Sequence, residues 1–204
     1  MSSITLPEPE LDGTVSVDRA IAWRASRRSF GAAPVSREDA SRVLWAAQGV
    51  THTRDGIEMR AAPSAGATYP LTLFLDVGPD GAKALPPGVF RYDPPSHSLE
   101  RIRDTSVRSA LTSGAGGQAV VRDAPAVLVV TADFERTRRE YPDHGTRYVY
   151  MEAGHVAENV QLVCEAHDLC TCPVGAFSDE SVKRTLDLPA ELDPVYLLPF
   201  GHRR

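Results

Sequence analysis

Three groups of residues have types and spacing that suit chemistry. The run Arg24-Ala25-Ser26-Arg27-Arg28-Ser29 carries three guanidiniums and two hydroxyls in six residues. Arginine presents forked donors to an oxoanion and serine adds a compact hydroxyl, so this run can grip a phosphate. It also reads as a solvated basic helix end, which the helix dipole favours. The last residues, Gly201-His202-Arg203-Arg204, form a second small basic cluster. Terminal arginines often fray, but here an apolar strand leads into them. The third group is Arg60-Ala61-Ala62-Pro63-Ser64-Ala65-Gly66-Ala67-Thr68-Tyr69-Pro70, in which five residues are alanine or glycine. Small side chains leave the backbone uncovered, so a flat ligand can approach it closely. Pro63-Ser64 can start a helical turn whose free N–H groups would meet a carbonyl or an anion. The same residues also read as a plain loop before a strand.

Other candidates carry less. Cys164, Cys170 and Cys172 form neither a disulfide framework nor, with His167, a metal-ligand set, so no metal is expected. Ser113-Gly114-Ala115-Gly116-Gly117 follows no strand and lacks the phosphate-loop lysine; it reads as a flexible connection or flap. His155, with Glu152 and Asn159, falls on one stripe of a long helix, where a lone histidine is usually satisfied packing. The chain has 22 Lys and Arg against 27 Asp and Glu, a net charge of −5, which argues against nucleic acid. Neither a signal sequence nor an apolar run of membrane-spanning length is visible, so a cytoplasmic protein with reduced thiols and no membrane partner is expected.

These groups need elements to position them. Residues 1–15, with Leu6-Pro7-Glu8-Pro9, read as an extended arm, loose or laid on a partner, and residues 16–204 as one domain. Ser16 caps a first helix expected to run through the arginines and stop before Gly31. Ser36 and Asp39 open a second helix that Gly49 ends. Residues 50–60 read as polar loop. Strands are expected at 71–77, 89–93, 98–102, 126–132, 171–174 and 194–200, with 126–130 buried on both faces. Residues 105–121 should be helical in pieces and 134–146 loop with some helix. The longest helix, 147–168, carries the apolar stripe Val149, Ala153, Val156, Ala157, Val160 and Cys164. Asp179 should cap a short helix through Leu186. The class is α+β, with a central, mostly antiparallel sheet flanked by helices.

The order and spacing of these motifs resemble the flavin-dependent nitroreductase superfamily and, within it, the SagB-type branch of azoline oxidases and dehydrogenases. The likeness runs from Leu6-Pro7-Glu8-Pro9 through Arg24-Ala25-Ser26-Arg27-Arg28-Ser29-Phe30 and Leu44-Trp45-Ala46-Ala47-Gln48-Gly49. It continues in Pro63-Ser64-Ala65-Gly66-Ala67-Thr68-Tyr69-Pro70 and Glu152-Ala153-Gly154-His155, and ends in Val174-Gly175-Ala176-Phe177 and Phe200-Gly201.

The resemblance implies a nitroreductase-like fold and a homodimer holding FMN at its subunit interface, with hydride passing through flavin N5 to or from a small organic substrate. It implies that Arg24, Ala25 and Ser26 stand at the FMN phosphate and ribityl chain and Arg28 near flavin N1 and O2. Pro63, Ser64, Ala65 and Gly66 would wall the ring, supplied by the other subunit. Val174 and Gly175 would bring a backbone donor to N5, and Arg203 or Arg204 would clamp the phosphate. NAD(P)H is the implied electron donor of the reductase reading. Two departures stand out: Ala25 replaces the His or Arg of many nitroreductases, and Ala67 replaces an Asn. The second is typical of the SagB-like branch, whose members oxidise a peptide azoline to the azole; that chemistry needs a base, for which His155 and Tyr148 are the candidates. A third reading is a flavin-binding or sensor module without turnover.

Overall fold

The computed structural model describes residues 3–204. Its centre is a seven-stranded sheet in the order β1-β6-β5-β4-β7-β9-β8. The strands are β1 (Ser3–Thr5), β4 (Leu71–Val77), β5 (Gly88–Asp93), β6 (Ser98–Arg103), β7 (Ala126–Ala132), β8 (Leu169–Thr171) and β9 (Asp193–His202). Each neighbouring pair is antiparallel. Every residue of β7 is buried, as its unbroken apolar run predicts for a central strand.

Alternate strand residues face two helical layers. On one face Leu73, Leu75, Phe90, Leu128 and Val130 pack with Val43, Leu44, Val156 and Val160, which come from α2 (Arg37–Gln48) and α6 (Gly145–Ala166). The six apolar stripe residues of α6 are all buried there. On the other face Phe74, Val127, Val129 and Leu197 meet Leu111, Val121 and Val182. These belong to α3 (Arg108–Gly114), α4 (Ala119–Arg122) and α7 (Asp179–Leu186). Each buried aliphatic or aromatic side chain contributes about 1.5–3 kcal/mol, so the two layers hold the sheet from both sides. Two short helices, α1 (Val17–Trp23) and α5 (Phe134–Arg138), complete the set. No helix among the described residues is long and apolar enough to cross a membrane.

The expected α+β architecture is present, with local differences that have physical causes. Residues 50–60 are a hairpin of β2 (Val50–Arg54) and β3 (Ile57–Arg60) rather than a loop. Asp55 and Gly56 both take positive φ at its turn, the Asp-Gly signal of a tight hairpin. The first helix stops at Trp23, and the arginines continue as extended chain because Arg27 N donates to Thr171 O at 3.1 Å. The arm is tied to its own chain: β1 pairs with β6, and Leu6 is buried. Ser178, not Asp179, caps α7 by accepting from Ser181 N. The predicted 171–174 strand is displaced to β8, followed by a single bridge between Val174 and Leu197. Ser36 and Asp39 form the complete capping box expected of them.

Candidate flavin site

The two basic clusters, far apart in sequence, meet at the C-terminal end of α6. Glu165, 5% exposed, receives Arg27 and also Arg203 Nη2 at 2.5 Å. Arg203 Nη2 donates further to Glu165 O at 2.8 Å and its Nε to Leu169 O at 3.1 Å. Arg24 Nη1 donates to Gln161 Oε1 at 3.1 Å, and Arg204 Nε to Phe30 O at 3.1 Å. Gly31 N donates to His202 O at 2.8 Å, lacing the tail to the arginine run. Arg203 is therefore held chiefly by protein acceptors. Arg28 and Ser26 are exposed and make no side-chain hydrogen bond among the described residues. Buried Glu165 faces two of the guanidiniums and exposed Asp168 lies 3.8 Å from Arg203 Nε, while Arg24, Arg28 and Arg204 have no carboxylate partner among the described residues, so the corner keeps a positive excess suited to an anion.

The Val174-Gly175 segment joins this corner through Thr171, whose carbonyl holds Arg27 N. Gly175 is exposed, and a Cβ there would touch only Tyr196, at 3.7 Å. The glycine run beside it is anchored: Ser178 N donates to Gly114 O at 2.8 Å and Gln118 Nε2 to Ala176 O at 2.9 Å.

The small-residue stretch forms a bend closed by a single 3-10 turn, Ala65–Ala67. Gly66, Ala67 and Tyr69 all have positive φ, near 57°, 52° and 44°. Two of these are non-glycine residues, and such strain accumulates where the surrounding structure over-determines a functional shape. Ser64 Oγ accepts from Tyr69 N at 2.9 Å. The backbone N–H groups of Ser64, Ala65 and Gly66 donate to nothing among the described residues. Three consecutive unused donors on an uncovered backbone are what a polar, flat ligand edge requires.

A polar network behind the bend was not legible as a unit in the sequence. Arg60 Nη1 donates to Gln48 Oε1 at 2.9 Å, and Gln48 Nε2 donates to Glu152 Oε1 at 3.2 Å. The Ser64 hydroxyl stands beside the same carboxyl. Burial raises the pKa of Glu152, with Ser64, Gln48 and Arg60 opposing that shift. Arg60 stacks over the Tyr69 ring at 4.5 Å, and Tyr69 Oη accepts from Arg60 N at 3.1 Å. Of the base candidates, His155 is exposed on α6. Tyr148 is half-buried and packs edge-on against Tyr141, centroids 5.2 Å apart, whose hydroxyl abuts Gly66.

Along α6 the small-residue stretch is fastened at Glu152, beside Ser64, and at Asn159, whose Nδ2 donates to Ala61 O at 3.3 Å, and the arginines are fastened at Gln161 and Glu165. At 1.5 Å per residue the Ser64 contact lies about 14–20 Å from the arginine fastenings along the helix, and the Ala61 contact about 3–9 Å from them.

The nitroreductase family signature matches residues 21–202, spanning the first arginine cluster, the bend and Gly175, and stopping just before Arg203 and Arg204. The chain belongs to the nitroreductase family. MJ1384 of Methanocaldococcus jannaschii, which carries a nitroreductase designation, is 38% identical over 200 residues, covering 98% of this chain and 96% of that protein. The microcin B17-processing protein McbC of Escherichia coli is 29% identical over 150 residues, 72% of this chain and 55% of McbC. A crystal structure from Ralstonia eutropha JMP134, also designated a nitroreductase, superimposes with a TM-score of 0.84 at 28% identity, covering 99% of this chain and 90% of that one. Membership of this family makes the chain an oxidoreductase by descent, and its sheet and two helical layers are the nitroreductase fold.

Proposed function

We propose that this protein is an FMN-dependent oxidoreductase acting on a small organic or peptide substrate. The observation that carries the reading is the free backbone edge of Ser64, Ala65 and Gly66 on a bend without bulky side chains. The donor set fits the group: cations and a hydroxyl for a phosphate, bare backbone for a flat ring. Arg24, Ser26 and Arg204 would hold the phosphate side, with Arg203 fixing the tail that presents Arg204. Arg28 would stabilise negative charge on the ring, Gly175 would offer a backbone donor, and residues 63–66 would wall the ring. FMN, when bound, supplies the two-electron redox chemistry; the chain supplies grip, orientation and charge.

Membership of the nitroreductase family supports a homodimer in which each site takes its bend from the second copy. Exposed Ile21, Trp23, Tyr150 and Met151 supply apolar surface for that association. Three reduced, buried cysteines suit a cytoplasmic setting. The similarity to McbC favours one second reading, the SagB-type oxidation of a peptide azoline to the azole. Tyr148 is then the better base candidate, because it packs through Tyr141 onto the bend, whereas His155 does not.

The test is anaerobic flavin reduction in the FMN-loaded protein. Bleaching by NADH or NADPH supports a reductase, and bleaching by an azoline peptide alone supports the oxidase. Bound flavin that no donor reduces would leave a non-catalytic flavin-binding module.

A further inference from the structure

The N-terminal arm is fastened at a histidine whose backbone and side chain are both constrained. His97 ends the turn between β5 and β6 and has a positive φ, 43°. A non-glycine residue stays in that region where its surroundings over-determine it. Three elements do so here. His97 O accepts from Leu6 N of the arm at 2.9 Å. On the ring, Nδ1 meets Tyr92 Oη of β5 at 2.7 Å. Nε2 meets Ser41 Oγ of α2 at 2.7 Å and Pro7 O of the arm at 3.1 Å.

These contacts decide which ring nitrogen carries the proton. Ser41 Oγ donates to Pro7 O at 2.5 Å, so it accepts from Nε2–H. Nδ1 is then bare and accepts from the Tyr92 hydroxyl. Burial raises the Tyr92 pKa, so that hydroxyl remains a donor. Tyr92 is 4% exposed, and its hydroxyl has no second partner among the described residues. A proton added at Nδ1 sets two donors against each other, and turning the hydroxyl away leaves it buried without an acceptor. The imidazole is only half-buried, so protons reach it from water.

The charged groups around the latch come from each element packed on it. Glu8 of the arm favours the charged ring, but less than burial opposes it. Arg60 of β3 acts on Tyr92 in one sense, Asp93 of β5 and Glu8 in the other. On α2, Arg37 donates to Thr5 O, and Arg42 pairs with Asp39 and with the exposed Glu10, Nη2 to Oε2 at 3.3 Å. The arm has little other hold. Strand β1 is three residues long on the sheet edge, and Leu6 is the one buried residue between 3 and 12.

We infer that His97 is an acid-released latch: a proton at Nδ1 breaks the Tyr92 hydrogen bond, the cationic ring turns out to water, and residues 6–12 lose their hold at Pro7. The sign follows from linkage. A freed ring takes its proton at the ordinary 6.5, whereas burial keeps the latched ring neutral to lower pH. Between those two values the released fraction rises by up to about tenfold per pH unit.

Hydrogen exchange read by mass spectrometry, corrected for the intrinsic pH dependence of exchange, measures release in the purified protein. Protection of residues 3–12 should fall about threefold or more from about pH 7.5 to about pH 5, while the β7 segment keeps its protection. His97→Gln and His97→Asn cannot take the proton, so arm protection in either folded variant should be equal at the two pH values. Constant arm protection in the wild type, which needs no variant to observe, would overturn the inference. So would an equal loss in β7, which signals global unfolding, or a folded variant that keeps the response, which would assign it to Glu8 or Glu10.

Discussion

Glu152 offers the most searching test of how the bend is held. Its side chain is 3% exposed, and its partner Gln48 is 1% exposed. Glu152→Ala removes the acceptor for Gln48 Nε2, now at 3.2 Å, and takes away a carboxylate that acts on Arg60. A stranded buried amide costs about 1–3 kcal/mol, and the truncated side chain leaves a void that adds about 1–2 kcal/mol. Relief of a desolvated charge offsets part of this, so a net loss of about 3 kcal/mol is expected, or roughly 6–12 °C in melting temperature for a chain of this size. Glu152→Gln keeps the shape and an acceptor oxygen and should lose no more than about 1 kcal/mol. The pH dependence has a definite sign. Burial raises the folded-state pKa above the ordinary 4.5, so the native state holds its proton longer than the unfolded chain does. Stability from this group is therefore greatest below the ordinary value and declines as pH rises toward the folded pKa. Glutamine has no such penalty, so the advantage of the wild type over Glu152→Gln should shrink as pH rises through that window. Urea titrations across the window, with circular dichroism as the readout, measure both effects. An alanine variant within about 2 °C of wild type, or a wild-type advantage that grows with pH, would refute the reasoning.

Two further outcomes follow from other buried groups. Asp76 is fully buried in the sheet and accepts from Val107 N and Arg108 Nε, both at 2.8 Å. Asp76→Ala strands Arg108 and should cost about 3–5 kcal/mol, read as a lowered urea midpoint; a change under about 1 kcal/mol would contradict the pairing. His97 accepts or donates at both ring nitrogens, with Tyr92 Oη at 2.7 Å and with Ser41 Oγ at 2.7 Å, fastening the turn of the β5–β6 hairpin near Pro7. Burial lowers its pKa against the weaker raising effects of the Pro7 carbonyl and Glu8. The unfolded chain therefore binds the proton first, and stability falls as pH drops through the ordinary 6.5. His97→Gln should flatten that part of the stability profile, and an unaltered slope would show that His97 does not set it.

The fold was legible where burial imposes a simple period. The unbroken apolar run of β7 and the α6 stripe gave their elements directly, and Ser36 with Asp39 gave a helix start. The β2–β3 hairpin was hidden because Thr51, His52, Thr53 and Arg54 are exposed, so no face of the strand carries an apolar signal. Helix α1 ends earlier than its sequence pattern implies because a tertiary bond, Arg27 N to Thr171 O, competes with continued helix. The arginine clusters and the small-residue bend were visible as compositions. Glu165 and the trio Gln48, Arg60 and Glu152 were not, since their pairings span separations of 138 and 104 residues. Chemistry of that kind appears only when the sheet and α6 bring the partners together.

The most direct measurement of the central claim is the FMN content of the purified protein after incubation with FMN and desalting, for the wild type and for Arg24→Ala combined with Ser26→Ala. The account predicts a yellow wild type that retains close to one FMN per chain, and a folded variant whose affinity is weaker by about tenfold or more, as loss of charge-assisted phosphate contacts requires. A wild type that retains no FMN, or a variant that holds it as tightly as the wild type, would contradict it.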